Sequence, residues 1–476
     1  MSSTVQPRLS RGLRDLMPDQ MLARAEMIDT IRHVYELYGF VPLNTPAIEY
    51  LDILSGTAGQ ETQQAIFRVS NPENEALGLR FDLTVPLARV IAQYADLPRP
   101  FRRYQVSSVW RADKPDKGRF REFTQFDLDS VGTESEIADT EIIAGMCDTL
   151  AALRVGRALV RFSSRSILNL VLDFAGVPQE RSGDVFRVLD KLEKAGMEKV
   201  RLELMHGYKD ESGDTIRGLG LHREQVGRIE QFLAIKSDSR RDVISQLREL
   251  FSGVANAPAR IDEVARISDH LYALGYGDDR VALDLSIARG LAYYTGPVFE
   301  AILLDAPQFG SVFGGGRYDN LVMRFLGERI PAVGASIGVD RLLAALAHLG
   351  AIGTRKATAR VLVTNLDATL TEDYLQMTWQ LRRAGIPTEL YIGQAKAIGK
   401  QLKYADQYEI PLVILYGTNE KSQGMVTVKN MAVGRAKAAK VGDRSAWLAQ
   451  RPGQTTIPRN ELVDGVRKLL AEIDRV

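Results

Sequence analysis

Arg111 and Asp113 precede, and Phe123, Gln125, Asp127 and Asp129 follow, a short turn that carries Pro115, Gly118 and Arg119. Side chains of a strand alternate faces, so in extended flanks the last four share one face, and Arg111 shares one with Asp113. Guanidinium forks suit phosphates, and an aromatic ring suits stacking under a planar base. An amide beside carboxylates suits a small polar ligand. A solvated hairpin with cross-strand ion pairs would explain any one of these residues. It explains the set less well, because Trp110, Phe123 and Phe126 alternate with charges on both sides of one turn. Upstream, Leu79-Arg80-Phe81-Asp82-Leu83-Thr84-Val85-Pro86 alternates as well, setting Arg80, Asp82 and Thr84 on one face of an expected edge strand. A carboxylate next to a hydroxyl can accept from an ammonium group. Further on, Arg289 stands before Gly290 and is followed by Tyr293 and Tyr294, and Gly314-Gly315-Gly316 lets backbone approach a ligand closely.

These residues need elements to position them. The aromatic and β-branched runs around the turn predict two antiparallel strands. Met21, Ala25, Ile28, Ile31, Val34, Tyr35 and Tyr38 recur at helical spacing, between Pro18 at the start and Gly39 at the stop. Roughly residues 168–265 change texture. Helix-favouring, charged runs (185–200, 223–232 and 240–251) surround the polar turn 209–214, which reads as an inserted helical domain with solvated charged faces. Gly334 to Gly338 predicts a strand running into a helix that contains Arg341, Leu342 and Leu343. After a Gly/Thr/Lys/Ala linker, the strands Val361-Leu362-Val363 and Leu412-Val413-Ile414-Leu415 alternate with helices over 370–384 and 396–408, as in a small α/β domain.

Composition bounds the rest. A chain of 476 residues is too long for one ordinary core, so two or three domains are expected. Its 45% hydrophobic and 25% charged residues are those of an ordinary soluble globular protein. The single cysteine, Cys147, excludes an intramolecular disulfide framework, and with five scattered histidines it argues against a zinc cluster. Cys147 falls in an apolar-periodic run and is expected inside a buried helix. Residues 1–15 lack the apolar core of a secretory signal, and no stretch is long and apolar enough to span a membrane, so the cytoplasm is the expected location. Net charge is +1, yet residues 359–476 hold 17 Lys and Arg against 12 Asp and Glu. A nucleic-acid partner would therefore be held by local basic surface, such as Lys396, Lys400 and Lys403.

The hairpin resembles the second signature motif of class II aminoacyl-tRNA synthetases in its histidyl form, through Arg111, Gly118-Arg119-Phe120-Arg121, Phe123, Gln125 and Asp129. Arg289-Gly290-Leu291-Ala292-Tyr293-Tyr294 is similar to that family's histidine-specific Arg-Gly-Leu-Asp-Tyr-Tyr, with Ala292 where the family usually has Asp. Gly315-Gly316-Arg317-Tyr318-Asp319 resembles its second histidine signature, residues 334–343 its motif 3, and Tyr38 to Glu49 its dimer-building motif 1. The resemblance covers essentially the whole chain. It implies an α+β, antiparallel-sheet class II catalytic core with a helical insertion, plus a C-terminal α/β anticodon-binding domain. The implied division is 1–167 for the first part of the core, 168–265 for the insertion and 266–350 for the second part. A linker at 351–358 and the anticodon-binding domain at 359–476 complete it.

The resemblance further implies ligation of L-histidine to its tRNA with ATP and Mg²⁺, by a homodimer, with no structural metal and no membrane. It makes Arg289 and Arg111 the catalytic arginines. It assigns Asp82, Leu83, Thr84, Arg111, Gln125, Asp129, Arg289, Tyr293, Tyr294 and Tyr318 to histidine, and Arg111, Asp113, Arg119, Phe123 and Arg341 to ATP. Alternatives are a non-catalytic, histidine-sensing regulatory relative, another class II synthetase, and a second-copy synthetase with a different task. The first typically lacks the C-terminal domain and catalytic arginines, which this chain keeps. The Arg289 to Tyr294 run argues against the second, and Ala292 leaves the third open.

Overall fold

A computed structural model describes residues 5–55, 64–114, 120–210, 213–287, 294–353, 355–394, 397–433 and 453–475. The chain divides into two compact units, Met1–Asp15 with Glu26–Ile352 and Leu16–Ala25 with Gly353–Val476.

The first unit is built on the long hairpin. Helix α1 (Pro18–Leu37) starts at the proline and stops before Gly39, whose φ of +76° turns the chain. Ile28, Ile31, Val34 and Tyr35 of the expected stripe are buried, whereas Met21 and Ala25 are exposed. Strand β1 (Val41–Pro42) follows, then helix α2 (Thr84–Gln93) and the hairpin strands β2 (Phe101–Trp110) and β3 (Glu122–Val131). Helix α3 (Glu136–Ala152) is capped by the Ser135 side chain, which accepts from the Ile137 N–H, and it buries Cys147. Burial pushes the Cys147 thiol up to about 12, so it is a packing residue. Strand β4 (Ala158–Ser164) precedes the insertion. After it come β5 (Val281–Leu283), β6 (Pro297–Leu303), β7 (Ser311–Arg317) and β8 (Ala332–Gly338).

These eight strands form one sheet in the order β1-β2-β3-β8-β7-β6-β4-β5. Pairing is antiparallel from β2 through to β4, and parallel only where β1 and β5 add to the edges. The period-two reading of β3 is literal. Phe126 and Leu128 are 0% and 1% exposed on one face, where the rings of Tyr35 and Tyr104 pack around Phe126 with centroids 5.0 and 5.8 Å away. Gln125, Asp127 and Asp129 therefore fall on the other face.

The expected strand over 79–86 is a correction. Extended pairing stops at Leu79, and α2 already begins at Thr84. Asp82 Oδ1 accepts the Val85 N–H at 3.0 Å, and Pro86 sits in the first helical turn, where its missing N–H costs nothing. Arg80 consequently leaves the face of Asp82 and Thr84. It is buried, donating to the carbonyls of Thr45, Pro46 and Ser108.

Between β4 and β5 the chain is mostly helical, from Arg165–Ala175 to Ala257–Ala273, with a small hairpin of Gly207–Lys209 and Thr215–Arg217 around the polar turn. Buried Arg240 ties this region to the return strand, donating to the carbonyls of Tyr276, Gly277 and Val281.

The second unit carries a five-stranded sheet, with Val361–Val363 in the middle of three parallel strands and Met425–Asn430 and Gln454–Pro458 added antiparallel. Helices Thr371–Arg383 and Leu462–Ile473 cover one face through Tyr374, Met377, Leu381, Leu462 and Val466, and Ile398–Gln407 covers the other through Ala405. Among the described residues no helix is long and apolar enough to cross a membrane.

Candidate active site

On the polar face of the hairpin lies a cavity of about 490 Å³. Its walls are Asp82 and Thr84 at the start of α2, Arg111 and Asp113 just past β2, Gln125, Asp127 and Asp129 along β3, and Tyr294 and Tyr318. Its floor is made by Gly314, Gly315, Gly334, Ala335 and Ser336 of β7 and β8.

The register explains the glycines. Gly334 pairs with Asp129 across β8 and β3, and a Cβ built there would lie 1.9 Å from Asp129 Oδ1 and 2.7 Å from the Leu128 carbonyl. Gly315 is closed the same way, by the Gly334 carbonyl at 2.1 Å. Replacing Gly334 with Ala should force the Asp129 carboxylate aside and destabilise the unit by roughly 1–3 kcal/mol, the usual range for overpacking. Urea unfolding measures this; an unchanged midpoint would show that the strands part easily.

Polar groups are arranged by type. At one end, Gln125 Nε2 donates to Ser336 Oγ at 2.9 Å, which leaves Gln125 Oε1 buried without a hydrogen bond, near Asp82 and Thr84. Burial raises the Asp82 carboxyl, while the Val85 N–H and the charge of Arg111 pull it back. At the other end, Asp129 accepts the Tyr318 hydroxyl and faces Arg103 Nη2 at 2.8 Å. Burial raises the Asp129 carboxyl too, against Arg103 and Tyr318. Beside it, burial pushes Asp127 up to about 7, Arg103 opposing and Asp129 adding to the shift. Arg111 stands over the rim. Its Nε donates to the Phe81 carbonyl at 3.0 Å, and its guanidinium lies 5.1 Å from the centre of the Phe123 ring.

The N-terminal segment ties this rim down. Arg14 pairs with Asp340 at 2.7 Å and lies over the Phe120 ring, while Asp340 accepts the Thr124 N–H and the Gly12 carbonyl accepts the Arg121 N–H. An Arg–Asp pair this exposed is worth about 1 kcal/mol or less, so its role is geometric.

Of the residues singled out in the sequence, Asp82, Thr84, Arg111, Asp113, Gln125, Asp129, Tyr294 and Tyr318 come together around the cavity. Leu83 is buried behind its wall, with its carbonyl accepting from Arg103. Phe123 sits under Arg111 outside the cavity lining. Arg341, likewise outside the lining, opens the helix Val339–Leu349 and donates to the Ser311 carbonyl at 2.7 Å. Arg119, Arg289 and Tyr293 lie outside the described residues. Arg317 of the glycine-rich signature turns away from the cavity into a buried pair with Asp139. Sequence reasoning missed Arg103, which no turn or glycine marks, and gave no role to Ser336 between Gly334 and Gly338. Asp127 was legible by period two but carried no role.

A mainly antiparallel sheet that carries this hairpin, and a cavity lined by arginine and carboxylates, defines a class II aminoacyl-tRNA synthetase core, here followed by an anticodon-binding domain. The histidyl-tRNA synthetase family model matches residues 12–342, and the anticodon binding domain model matches residues 360–469. The chain is 43% identical to a histidine–tRNA ligase of Paracoccus denitrificans and 42% identical to one of Cereibacter sphaeroides, over 97% of this chain and 97% of each relative. The crystal structure of histidyl-tRNA synthetase from Nostoc sp. PCC 7120 superposes with a TM-score of 0.82 at 31% identity, covering 98% of this chain and 100% of that one. A Bacillus halodurans structure, described as an ATP phosphoribosyltransferase regulatory subunit/histidyl-tRNA synthetase, shares the fold at 22% identity and a TM-score of 0.69, over 84% of this chain and 97% of that one. This chain belongs to the histidyl-tRNA synthetase family.

Proposed function

We propose that the protein joins L-histidine to the 3′ end of its tRNA in two steps, through a histidyl-adenylate. The observation that carries this is the polarity of the cavity: ammonium acceptors at one end, the fixed Asp129 carboxylate with Tyr294 at the other, and Arg111 over the rim. Asp82 and Thr84 take the α-ammonium with Gln125, and Leu83 shapes the wall behind them. Asp129 and Tyr294 meet the two imidazole nitrogens, with Tyr318 holding Asp129 and Tyr293 alongside. A site that pairs both polar edges leaves buried groups unpaired when a wrong side chain enters, so it discriminates without editing.

In the first step the histidine carboxylate attacks the α-phosphorus of ATP and pyrophosphate leaves. Arg111 and Arg289 hold the α-phosphate and the carboxylate, where charge builds. Phe123 stacks on adenine opposite Arg341, Arg119 and Arg341 take the outer phosphates, and Asp113 lies at the ATP side of the rim. ATP enters as its Mg²⁺ complex, so the metal is substrate; among the described residues no group of His, Cys, Asp and Glu is arranged to hold an ion. In the second step the terminal ribose hydroxyl of tRNA attacks the adenylate carbonyl.

The domain roles follow: core at 1–167 and 266–350, insertion at 168–265 over the acceptor stem, linker at 351–358, and anticodon reading by 359–476. The protein works in the cytoplasm, where its substrates meet, which cell fractionation tests.

ATP–pyrophosphate exchange with each of the twenty amino acids tests the function. Histidine should drive exchange and the others should not. Exchange with none, in folded protein with Mg²⁺, would mean a regulatory relative instead. A chain ending near residue 354 should keep exchange and lose most tRNA charging; undiminished charging of cognate over non-cognate tRNA would refute the anticodon role. The working unit is a homodimer joined through residues 40–49, where Val41 and Ile48 are 49% and 44% exposed. Sedimentation at micromolar concentration should give about twice the chain mass, and a fully active monomer would rule the dimer out.

A further inference from the structure

Behind the cavity lies a charged group that these substrate contacts leave out. Arg103 is 0% exposed and pairs with Asp129 across β2 and β3. Its Nη2 lies 2.8 Å from Asp129 Oδ2 and 3.9 Å from Asp127 Oδ2, and donates to the Leu83 carbonyl at 3.1 Å. The 2.8 Å approach is an ion pair without hydrogen-bond alignment. Arg103 Nε and Nη1, Asp127 Oδ1 and Asp129 Oδ2 form no hydrogen bonds. Two buried carboxylates thus share one guanidinium.

Buried like charges side by side cannot both ionise easily, and one cation offsets one of them. The distances decide which. Asp129 touches Arg103 and accepts the Tyr318 hydroxyl, so it is the carboxylate held charged. Asp127 stands further from Arg103, with Ser336 lowering and Asp82 raising its carboxyl, and is the one that takes the proton. Among the described residues the other charged or titratable neighbours are Arg80, Tyr35 of α1, and Arg111 and Tyr294 around the cavity.

We propose that Arg103 and Asp127 are a positioning pair that fixes the charge and aim of Asp129, presenting it to the amino-acid side chain as an ionised acceptor. Arg103 lies behind the cavity lining, and Asp127, within it, is given no substrate contact. Arg103 supplies the field, and Asp127 absorbs the proton that would otherwise compete for Asp129. Through the Leu83 carbonyl, Arg103 also links the imidazole end of the cavity to the turn that carries Asp82 and Thr84. The inference rests on Asp129 meeting the imidazole.

The test titrates histidine and ATP separately into the full-length wild type, Arg103→Met, Asp127→Asn and the double variant Arg103→Met/Asp127→Leu. Arg103→Met should weaken histidine binding about tenfold or more and leave ATP within about twofold, because the lost charge acts at the imidazole end. Without Arg103 the Asp129 carboxyl rises further, so the loss relative to wild type should be larger at about pH 6 than at about pH 8.5. Histidine titrates near that range in every variant, so the difference between variants is the readout. The double variant should recover part of the loss, since it removes the neighbouring carboxylate that competes with Asp129 for the charge once Arg103 is gone. Asp127→Asn, a neutral mimic of the protonated Asp127, should bind histidine as wild type does below about pH 7.

Equal losses for histidine and ATP, or a double variant no better than Arg103→Met, would overturn the pair. If Arg103→Met does not fold, Asp127→Asn decides: histidine binding that falls about tenfold or more below wild type at about pH 6 overturns the proposal. Wild type that binds ATP but prefers no amino acid would instead overturn the assignment of the cavity to histidine.

Discussion

Arg111→Ala should slow adenylation by roughly a hundred- to a thousandfold, about 3–4 kcal/mol, which is the usual effect of removing one preorganised group at a developing oxyanion. The size follows from how Arg111 is held. Its Nε is committed to the Phe81 carbonyl, its plane lies near the Phe123 ring, and its backbone N–H donates to the Arg121 carbonyl at 2.8 Å. The guanidinium is therefore fixed before substrate arrives and pays little to reorganise. A second loss adds to the first. Arg111 is one of the groups holding the buried Asp82 carboxyl down, so without it Asp82 becomes a poorer partner for an ammonium. Arg111→Lys should not restore the rate, because a point ammonium cannot bond the Phe81 carbonyl and two phosphate oxygens in one plane. Single-turnover adenylation, measured apart from transfer of preformed adenylate, is the assay. Adenylation within a few-fold of wild type would make Arg111 a structural arginine.

Asp129 should show the other large effect, and there stability and specificity separate. Asp129→Asn keeps the volume but brings an amide where the Tyr318 hydroxyl and Arg103 both need an acceptor. Histidine should bind on the order of a hundredfold more weakly, since a site built around a hydrogen bond loses most when that bond cannot form. ATP binding should stay near wild type. Asp129→Ala goes further and leaves fully buried Arg103 without its contact partner. Breaking a buried pair from one side costs about 3–5 kcal/mol, and Asp127 at 3.9 Å puts this case at the lower end. Urea unfolding and histidine titration measure the two losses separately. An Asp129→Asn protein with unaltered histidine affinity would remove Asp129 from the recognition site.

Much of this was legible in the sequence, for physical reasons that differ by element. The hairpin announced itself because a period of two survives folding unchanged: Phe126 and Leu128 went inward, and Gln125, Asp127 and Asp129 went to the cavity. The turn at Asp82 was misread because alternation over a few residues cannot distinguish a strand end from a helix start, and Pro86 fits both. Side-chain capping by Asp82 decided it. Arg103 was invisible because its meaning lies in register. Nothing near it in the chain says that it will face Asp129 across two strands. The strands Met425–Asn430 and Gln454–Pro458 of the second unit also went unread: the first is buried on both faces and so does not alternate, and the second is a half-exposed edge segment with weak alternation.

The floor of the cavity has a consequence for how the site can change over evolution or by design. Gly315 and Gly334 line it with bare backbone, and a Cβ at either would collide with a neighbouring main chain. Nothing can be trimmed from a glycine, so no substitution there deepens the site. At Gly314 a Cβ would meet nothing closer than 3.8 Å, so that position can accept a methyl group. At its glycines the floor can thus be raised by mutation but not lowered, and only Ala335 and Ser336 have anything to lose. A variant remodelled for a bulkier amino acid must take most of its changes from the walls, at Thr84, Asp129, Tyr294 or Tyr318, where the side chains that would yield space are the ones we propose to recognise the substrate.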